Sequence, residues 1–325
     1  MNVTGSGFSV QGLKVAVQGV GAVSPAGWGV ESLYEAWKKG VPLPAGQVAR
    51  PGWEKPMAVR NLPPPPTRPA FLAHPRLRRA TAIGQHTVAA ALEAMGTDLE
   101  QIQAGAIRPG IIVCVLSGAV NYSRRFYEET LRDPATASPL LFPETVFNSS
   151  ASHLAAFLGV TAINYTLVGD DGTFLQGLAL AADWLAEGRV DACVVVGAEE
   201  NDWILSDALR LFQRDAIHAA GAGAIYLKKD SGTAELAAIT DPVLLTQSET
   251  REAAVQKVRD QLPSAPASEW FLSDRVKLIF GEAFTASAAW QCVLACESIR
   301  RKEMSAANVS VSGTNQQAIG ARFSV

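Results

Sequence analysis

The chain has 325 residues, of which 48% are hydrophobic and 18% charged, which is enough to bury a large core and excludes a disordered chain. Lys and Arg number 28 against 31 Asp and Glu, a net charge of -3, so there is no basic excess to neutralise a phosphate backbone and nucleic acid is not an expected partner. The four cysteines, Cys114, Cys193, Cys292 and Cys296, show no CxxC spacing; this argues against a zinc site or a disulfide framework and for a reducing, cytoplasmic setting.

No apolar run approaches the roughly 20 residues of a membrane helix, and Met1 to Val10 carries neither a charged n-region nor a signal-like apolar stretch. Leu13 to Gly19 reads as a strand, followed by the loop Val20 to Gly27 and an amphipathic helix from Val30 to Lys39. Leu62 to Pro69 (LPPPPTRP) can be neither helix nor central strand and is a surface connection. A long Ala-rich helix is predicted over Arg76 to Met95, and Gly110 to Leu116 is a strand covered on both faces.

Asn148 to Leu158 starts with a capping residue type and ends before Gly159, the marks of a complete helix. Ile163 to Val168 is a strand and Gly169 to Gly172 (GDDG) a tight turn. Thr173 to Glu187 is apolar nearly all round, so it is expected between two sheets, within a layered α/β sandwich of mostly parallel strands. Val190 to Gly197 and Ala220 to Leu227 are further strands. The last third offers a helix over Glu249 to Leu262, a strand at Trp270 to Ser273, a helix over Ala286 to Lys302, and strands at Asn308 to Ser312 and Ala318 to Phe323.

Four segments resemble the beta-ketoacyl-acyl-carrier-protein synthases, the condensing-enzyme branch of the thiolase fold: Val15 to Pro25 (VAVQGVGAVSP), Phe142 to Thr166, Leu178 to Glu199, and Gly313 to Asn315 (GTN). The likeness implies a thiolase-like α-β-α-β-α sandwich built from two similar halves, here residues 1–229 and a shortened 230–325. It also implies a cysteine nucleophile at the turn that opens the buried helix, activated by the helix N-terminus. Alignment on NYT and AAD places Asp171 in that seat, and no cysteine occurs between Cys114 and Cys193.

In the family, a second histidine follows a Lys-x-x-x-Gly pattern. Here that run is Lys277, Leu278, Ile279, Phe280, Gly281, Glu282, so the lysine stays and glutamate stands for histidine. The first histidine's segment has no clear match; Asp274, in WFLSD, falls near its place. Val311 takes the position of a gating Phe, and Asp170, Phe174, Phe280, Val311 and Asn315 would line the pocket. The resemblance then implies a non-condensing subunit like a chain length factor, with no cofactor. Its partners would be a catalytic ketosynthase or a second copy of the chain, joined at the sheet edge beside NYT, and an acyl carrier protein or acyl thioester. One alternative is an enzyme that uses Asp171 and Glu282 as an acid/base pair on an acyl thioester; another is a structural homodimer whose pocket is filled by Phe174 and Phe280.

Each residue also has a plainer reading. Asp170 and Asp171 at a helix N-terminus can be caps. Lys277 can pair with Glu282 or Asp171, or lie on the surface. His153 reads as a packed surface or interface histidine, Cys193 as a small hydrophobe, and Cys292 with Cys296, at i and i+4, as core. The Gly221 to Gly223 GAG reads as close strand packing, because it is too short for a phosphate loop.

Overall fold

The computed structural model describes residues 15–229, 232–248 and 250–325; Met1 to Val10, the start of the first predicted strand and Glu249 lie outside the described residues. Strand β1 (Val15–Ser24) turns back on itself through β2 (Gly27–Trp28). Helix α1 (Val30–Lys39) buries Leu33, Tyr34 and Trp37 along one face and stops at Gly40, whose φ of 66° favours a residue without a Cβ. Strands β3 (Gly46–Val48) and β4 (Met57–Arg60) follow, and the Pro-rich stretch after them forms no helix or strand.

The helix expected from Arg76 starts six residues later. Helix α2 is Ala82–Met95, because Thr81 takes the N-cap and its side chain accepts the Gly84 N–H. Next come α3 (Asp98–Gln103), β5 (Pro109–Val115), α4 (Val120–Arg132) and α5 (Ser149–Leu158), the last ending at Gly159 as expected but without a bond from the Asn148 side chain. Then follow β6 (Ile163–Val168), α6 (Thr173–Ala186), β7 (Ala192–Glu199), α7 (Trp203–Phe212), β8 (His218–Ala219) and β9 (Gly221–Lys228). The remainder is β10 (Ala234–Ile239), β11 (Val243–Leu244), α8 (Arg251–Arg259), β12 (Trp270–Leu272), α9 (Ser273–Phe280), α10 (Phe284–Arg300), β13 (Ala306–Ser312) and β14 (Gln317–Ser324).

One hydrogen-bonded path runs β12, β13, β14, β10, β1, β9, β7, β5, β6, while β3, β4 and β8 form a small separate sheet. The two sheets expected around the buried helix are therefore two wings of one path, joined where β1 pairs β10 over Val15 to Val17. The expectation of mostly parallel strands is corrected as well. β5 is parallel to β6 and β7, and β12 to β13, but β1–β9, β7–β9, β1–β10, β10–β14 and β13–β14 are antiparallel. The four residues between β13 and β14 allow nothing else, since a parallel return needs a crossover of a dozen residues or so.

The architecture is the expected five-layered α-β-α-β-α stack. Helices α2 and α5 cover one wing, α6 and α10 fill the space between the wings, and α8 lies outside β14 and β13. The helix buried on every side is α10, from Phe284 to Ile299, more completely than α6, which exposes Gln176. The GAG segment serves that packing: a Cβ at Gly223 would sit 2.7 Å from the Cβ of Ala289 on α10.

Candidate functional site

The GDDG turn joins β6 to α6, and its two acids do different work. Asp170 clamps. Its carboxylate accepts the backbone N–H groups of Gln316 (2.9 Å), Gln317 (3.3 Å) and Gly172 (3.2 Å), which ties the head of α6 to the β13–β14 turn. Burial, and then the charge of Asp171, push its carboxyl above the usual range, while those three N–H groups pull it back. The clamp dictates Gly313, where a Cβ would fall 2.0 Å from Asp170 Oδ2. Asp170 therefore ties the turn before α6 to the β13–β14 turn, while α6 itself starts from Gly172 with no side-chain cap.

Asp171 points elsewhere. One oxygen accepts the Thr314 hydroxyl at 3.3 Å and the other lies 2.7 Å from Lys277 Nζ. Lys277 Nζ is also 2.6 Å from Glu282 Oε2 and donates to Ser312 O at 3.2 Å. Both of the lysine's paired readings are realised at once, in a carboxylate–ammonium–carboxylate triplet. Both acid side chains are 1% exposed and the lysine side chain 15%.

Local chain geometry makes the triplet. Lys277 sits in the last turn of α9, and Gly281, at φ 95°, reverses the chain directly after it. Glu282 is then fixed through its backbone: Glu282 N–H donates to Ile217 O and Ala219 N–H donates to Glu282 O, both at 2.8 Å. Its second oxygen accepts the N–H of Phe284, a residue held at the unusual φ of 45° as α10 begins.

Burial and the Asp171 charge push the Glu282 carboxyl above its usual range against the opposing pull of Lys277. For Lys277, burial alone would favour the neutral amine, but the two carboxylates outweigh it and hold the ammonium above its ordinary range. The arrangement can take up or release a proton at Glu282 beside a fixed positive charge.

A cleft of about 420 Å³ reaches this cluster, lined by Arg60, Gln213, Arg214, Asp215, Ala216, Ile217, Asp274, Lys277, Leu278 and Glu282. Asp274, in the first turn of α9, is exposed at the cleft and does not touch the triplet. Phe174, Phe280 and Val311 belong to the core between the wings, Phe280 resting on Trp290 with ring centroids 5.8 Å apart. Asn315 is exposed in the β13–β14 turn, where its neighbours Thr314 and Gln316 make the contacts.

Sequence reasoning missed three participants. The first is Thr314, inside the very GTN motif it singled out. The second is the Ser312 carbonyl, which only the fold delivers. The third is His218, whose backbone bridges Glu282; it is buried, its Nδ1 is 3.3 Å from Ser206 Oγ, and burial pushes it down to about 4, so it is neutral. His153 is buried, not on the surface, with Nε2 2.7 Å from Glu144. All four cysteines are free and buried, their thiols pushed up by burial, and none sits at the Asp171 turn. Among the described residues no three His, Cys, Asp or Glu side chains are placed to hold a metal ion, and no helix is long and apolar enough to cross a membrane.

Comparison with known proteins places the chain in a family and a fold. The family profile "Beta-ketoacyl synthase, N-terminal domain" matches residues 69–233, just over half of the chain. No curated protein sequence matches. Among solved structures, the chain is similar to the ishigamide ketosynthase/chain length factor, at a TM-score of 0.76 and 15% identity, covering 96% of this chain and 99% of that one. It is equally similar to the ketosynthase ApeO in complex with its chain length factor ApeC from Xenorhabdus doucetiae, at 0.76 and 12% identity over 97% and 99%. A beta-ketoacyl synthase from Burkholderia phymatum STM815 gives 0.74 and 14% over 96% and 99%. At these identities the structures establish the shared thiolase-like ketosynthase fold, while the profile match establishes the kinship: the chain belongs to the beta-ketoacyl synthase family.

Proposed function

We propose that this chain is a non-condensing member of its family, a subunit that resembles a chain length factor and pairs with a catalytic ketosynthase in polyketide assembly. One observation carries the reading. The turn that should present a thiolate presents Asp171, and Asp171 is engaged by Lys277 and Thr314. A carboxylate cannot take an acyl group from a thioester without forming a mixed anhydride of much higher energy, so the acyl-enzyme step fails at its start. Glu282, where the second histidine would stand, is already bound to Lys277 and the Phe284 N–H.

The partner role draws support from the sheet edge. Strand β6 ends the hydrogen-bonded path and pairs only β5 among the described strands, and Tyr165 and Val168 on it are 48% and 53% exposed. An unpaired edge bearing exposed apolar side chains is a surface for another chain. Two of the similar solved structures contain ketosynthases with chain length factors. Co-expression with a catalytically intact ketosynthase from the same genome should yield a co-purifying pair. Separation of the two on every column would remove the partner role.

A second reading rests on the cleft that reaches Glu282, whose carboxyl burial holds above its usual range. Asp171 and Glu282 would then act as acid and base on an acyl thioester, by hydrolysis, dehydration or decarboxylation. Asp171→Asn would abolish such turnover with the fold intact; unchanged turnover would end this reading.

A further inference from the structure

The cleft beside the triplet has a second feature that neither reading uses. Arg60, at the end of β4, is 5% exposed and lines the cleft with Lys277 and Glu282. Its Nε donates to Leu43 O at 3.0 Å and one terminal nitrogen donates to Lys277 O at 3.2 Å. Those contacts place it at the C-terminal end of α9, where the helix dipole favours a cation. They use two of its five N–H donors and bring it no negative charge.

Among the described residues Arg60 makes no ion pair, and burial lowers its pKa with nothing set against it. Two acids of the neighbouring cluster are committed: Asp171 and Glu282 both face the Lys277 ammonium. A largely covered guanidinium at a cleft wall with no ion pair is stabilised by an anion brought to its remaining donors. Arg214, exposed in the same lining, also lacks an ion pair among the described residues.

We propose that this cleft is a binding site for a small ligand carrying one oxyanion group, gripped by the planar forks of Arg60 and Arg214. Guanidinium forks match the two oxygens of a carboxylate or a phosphate. Its volume of about 420 Å³ suits a small molecule. Asp215 and Asp274, both exposed in the lining, repel a second negative charge and accept a hydrogen bond from a hydroxyl, so the ligand is anionic at one end and neutral or hydrogen-donating at the other. The oxyanion belongs either to a free carboxylic acid or to a phosphate. The proposal does not rest on the partner role, because it concerns the isolated chain.

The test is calorimetric titration of the full chain with lactate and with inorganic phosphate, at constant ionic strength against chloride. At least one of the two should bind saturably at one site, and Arg214→Gln should weaken that binding tenfold or more. Arg60→Lys keeps the charge but loses the fork, and should weaken it similarly if the variant folds; if it does not fold, Arg214→Gln decides alone. Preference for lactate assigns a carboxylic acid and preference for phosphate a phosphate ester, and either supports the site. No saturable heat above chloride for either anion, or equal binding by Arg214→Gln, overturns it.

Discussion

The two wings of the sheet are held in place by different forces. The wing of β1, β9, β7 and β5 has α2 on one face and α10 with α6 on the other, so its strands are apolar on both sides and β5 and β7 are buried at every residue. Among the described residues, the outer face of the wing of β14 and β13 carries the single helix α8, over a small cluster of Ala254, Val258 and Ala318. Polar clamps supplement that thin cover. Arg251 donates to the carbonyls of Gly313 and Thr314, Asp170 holds the N–H groups of Gln316 and Gln317, and Lys277 holds the Ser312 carbonyl. The candidate site lies at that joint, with Asp171 supplied by the α6 head and Lys277 and Glu282 by the segment leading into α10. What elsewhere would be secured by apolar area is here secured by charge.

The largest effect should come from removing the charge at the joint. Lys277→Met leaves two buried carboxylates facing each other and should cost about 3–5 kcal/mol in urea unfolding. Adding Asp171→Asn and Glu282→Gln to that variant removes the uncompensated charges and should recover much of the loss. If Lys277→Met unfolds at the wild-type urea midpoint, the triplet is not what holds the joint.

Core truncations sharpen the contrast between the wings. Leu178→Ala, in the core between them, should cost about 2–5 kcal/mol, whereas Val258→Ala, under α8, should cost about 2 kcal/mol or less. Equal losses would mean that the outer face of the second wing is better packed than its cluster implies. Gly313→Ala should cost about 1–3 kcal/mol, because the new methyl meets Asp170 Oδ2 at 2.0 Å and Gln317 O at 2.6 Å.

The smallest effect is a pH slope. Buried Glu199, which accepts from Leu116 N–H and Ser117 Oγ at 2.5 Å each, is raised from 4.5 to about 7 by burial, those bonds pulling the other way. Its stabilising contribution is complete below about pH 4.5 and is lost as pH rises through 7. Glu282 runs in the same direction. Buried His86 and His218, lowered from 6.5 to about 4, run the other way, stabilising above 6.5 and losing that contribution as pH falls through 4. The opposed slopes overlap between about 4.5 and 6.5, so the carboxyls show alone from pH 6.5 to just above 7. There the wild type should lose stability with rising pH, and Glu199→Gln should lose less; identical curves would place the Glu199 pKa elsewhere.

Much of the first wing was readable in the sequence because double burial writes itself as continuous apolar runs, as in Gly110 to Leu116 and Val190 to Gly197. The near-complete burial of α6 was readable for the same reason. The burial of α10 was not: its alanines, serines and cysteines carry weak hydrophobic signal, and its fit depends on glycines in β7 and β9 that lie far away in sequence. The antiparallel return of β14 and the capping of α2 at Thr81 were likewise set by local turns that periodicity does not report.

The site was half legible. Asp171, Lys277 and Glu282 emerged through the family likeness, since spacing alone cannot bring together residues more than a hundred positions apart. The division of labour between Asp170 and Asp171 and the Thr314 and Ser312 contacts depend on how the β13–β14 turn meets the α6 head, and the bridge from His218 to Glu282 on how the 217–219 segment pairs with the chain after α9.

The account turns on whether the seat at position 171 can carry an acyl group. Intact-mass measurement of the chain after incubation with acyl-carrier thioesters tests this directly. The account predicts an unmodified mass while a catalytic ketosynthase in the same mixture becomes acylated. An acyl adduct on this chain would contradict it.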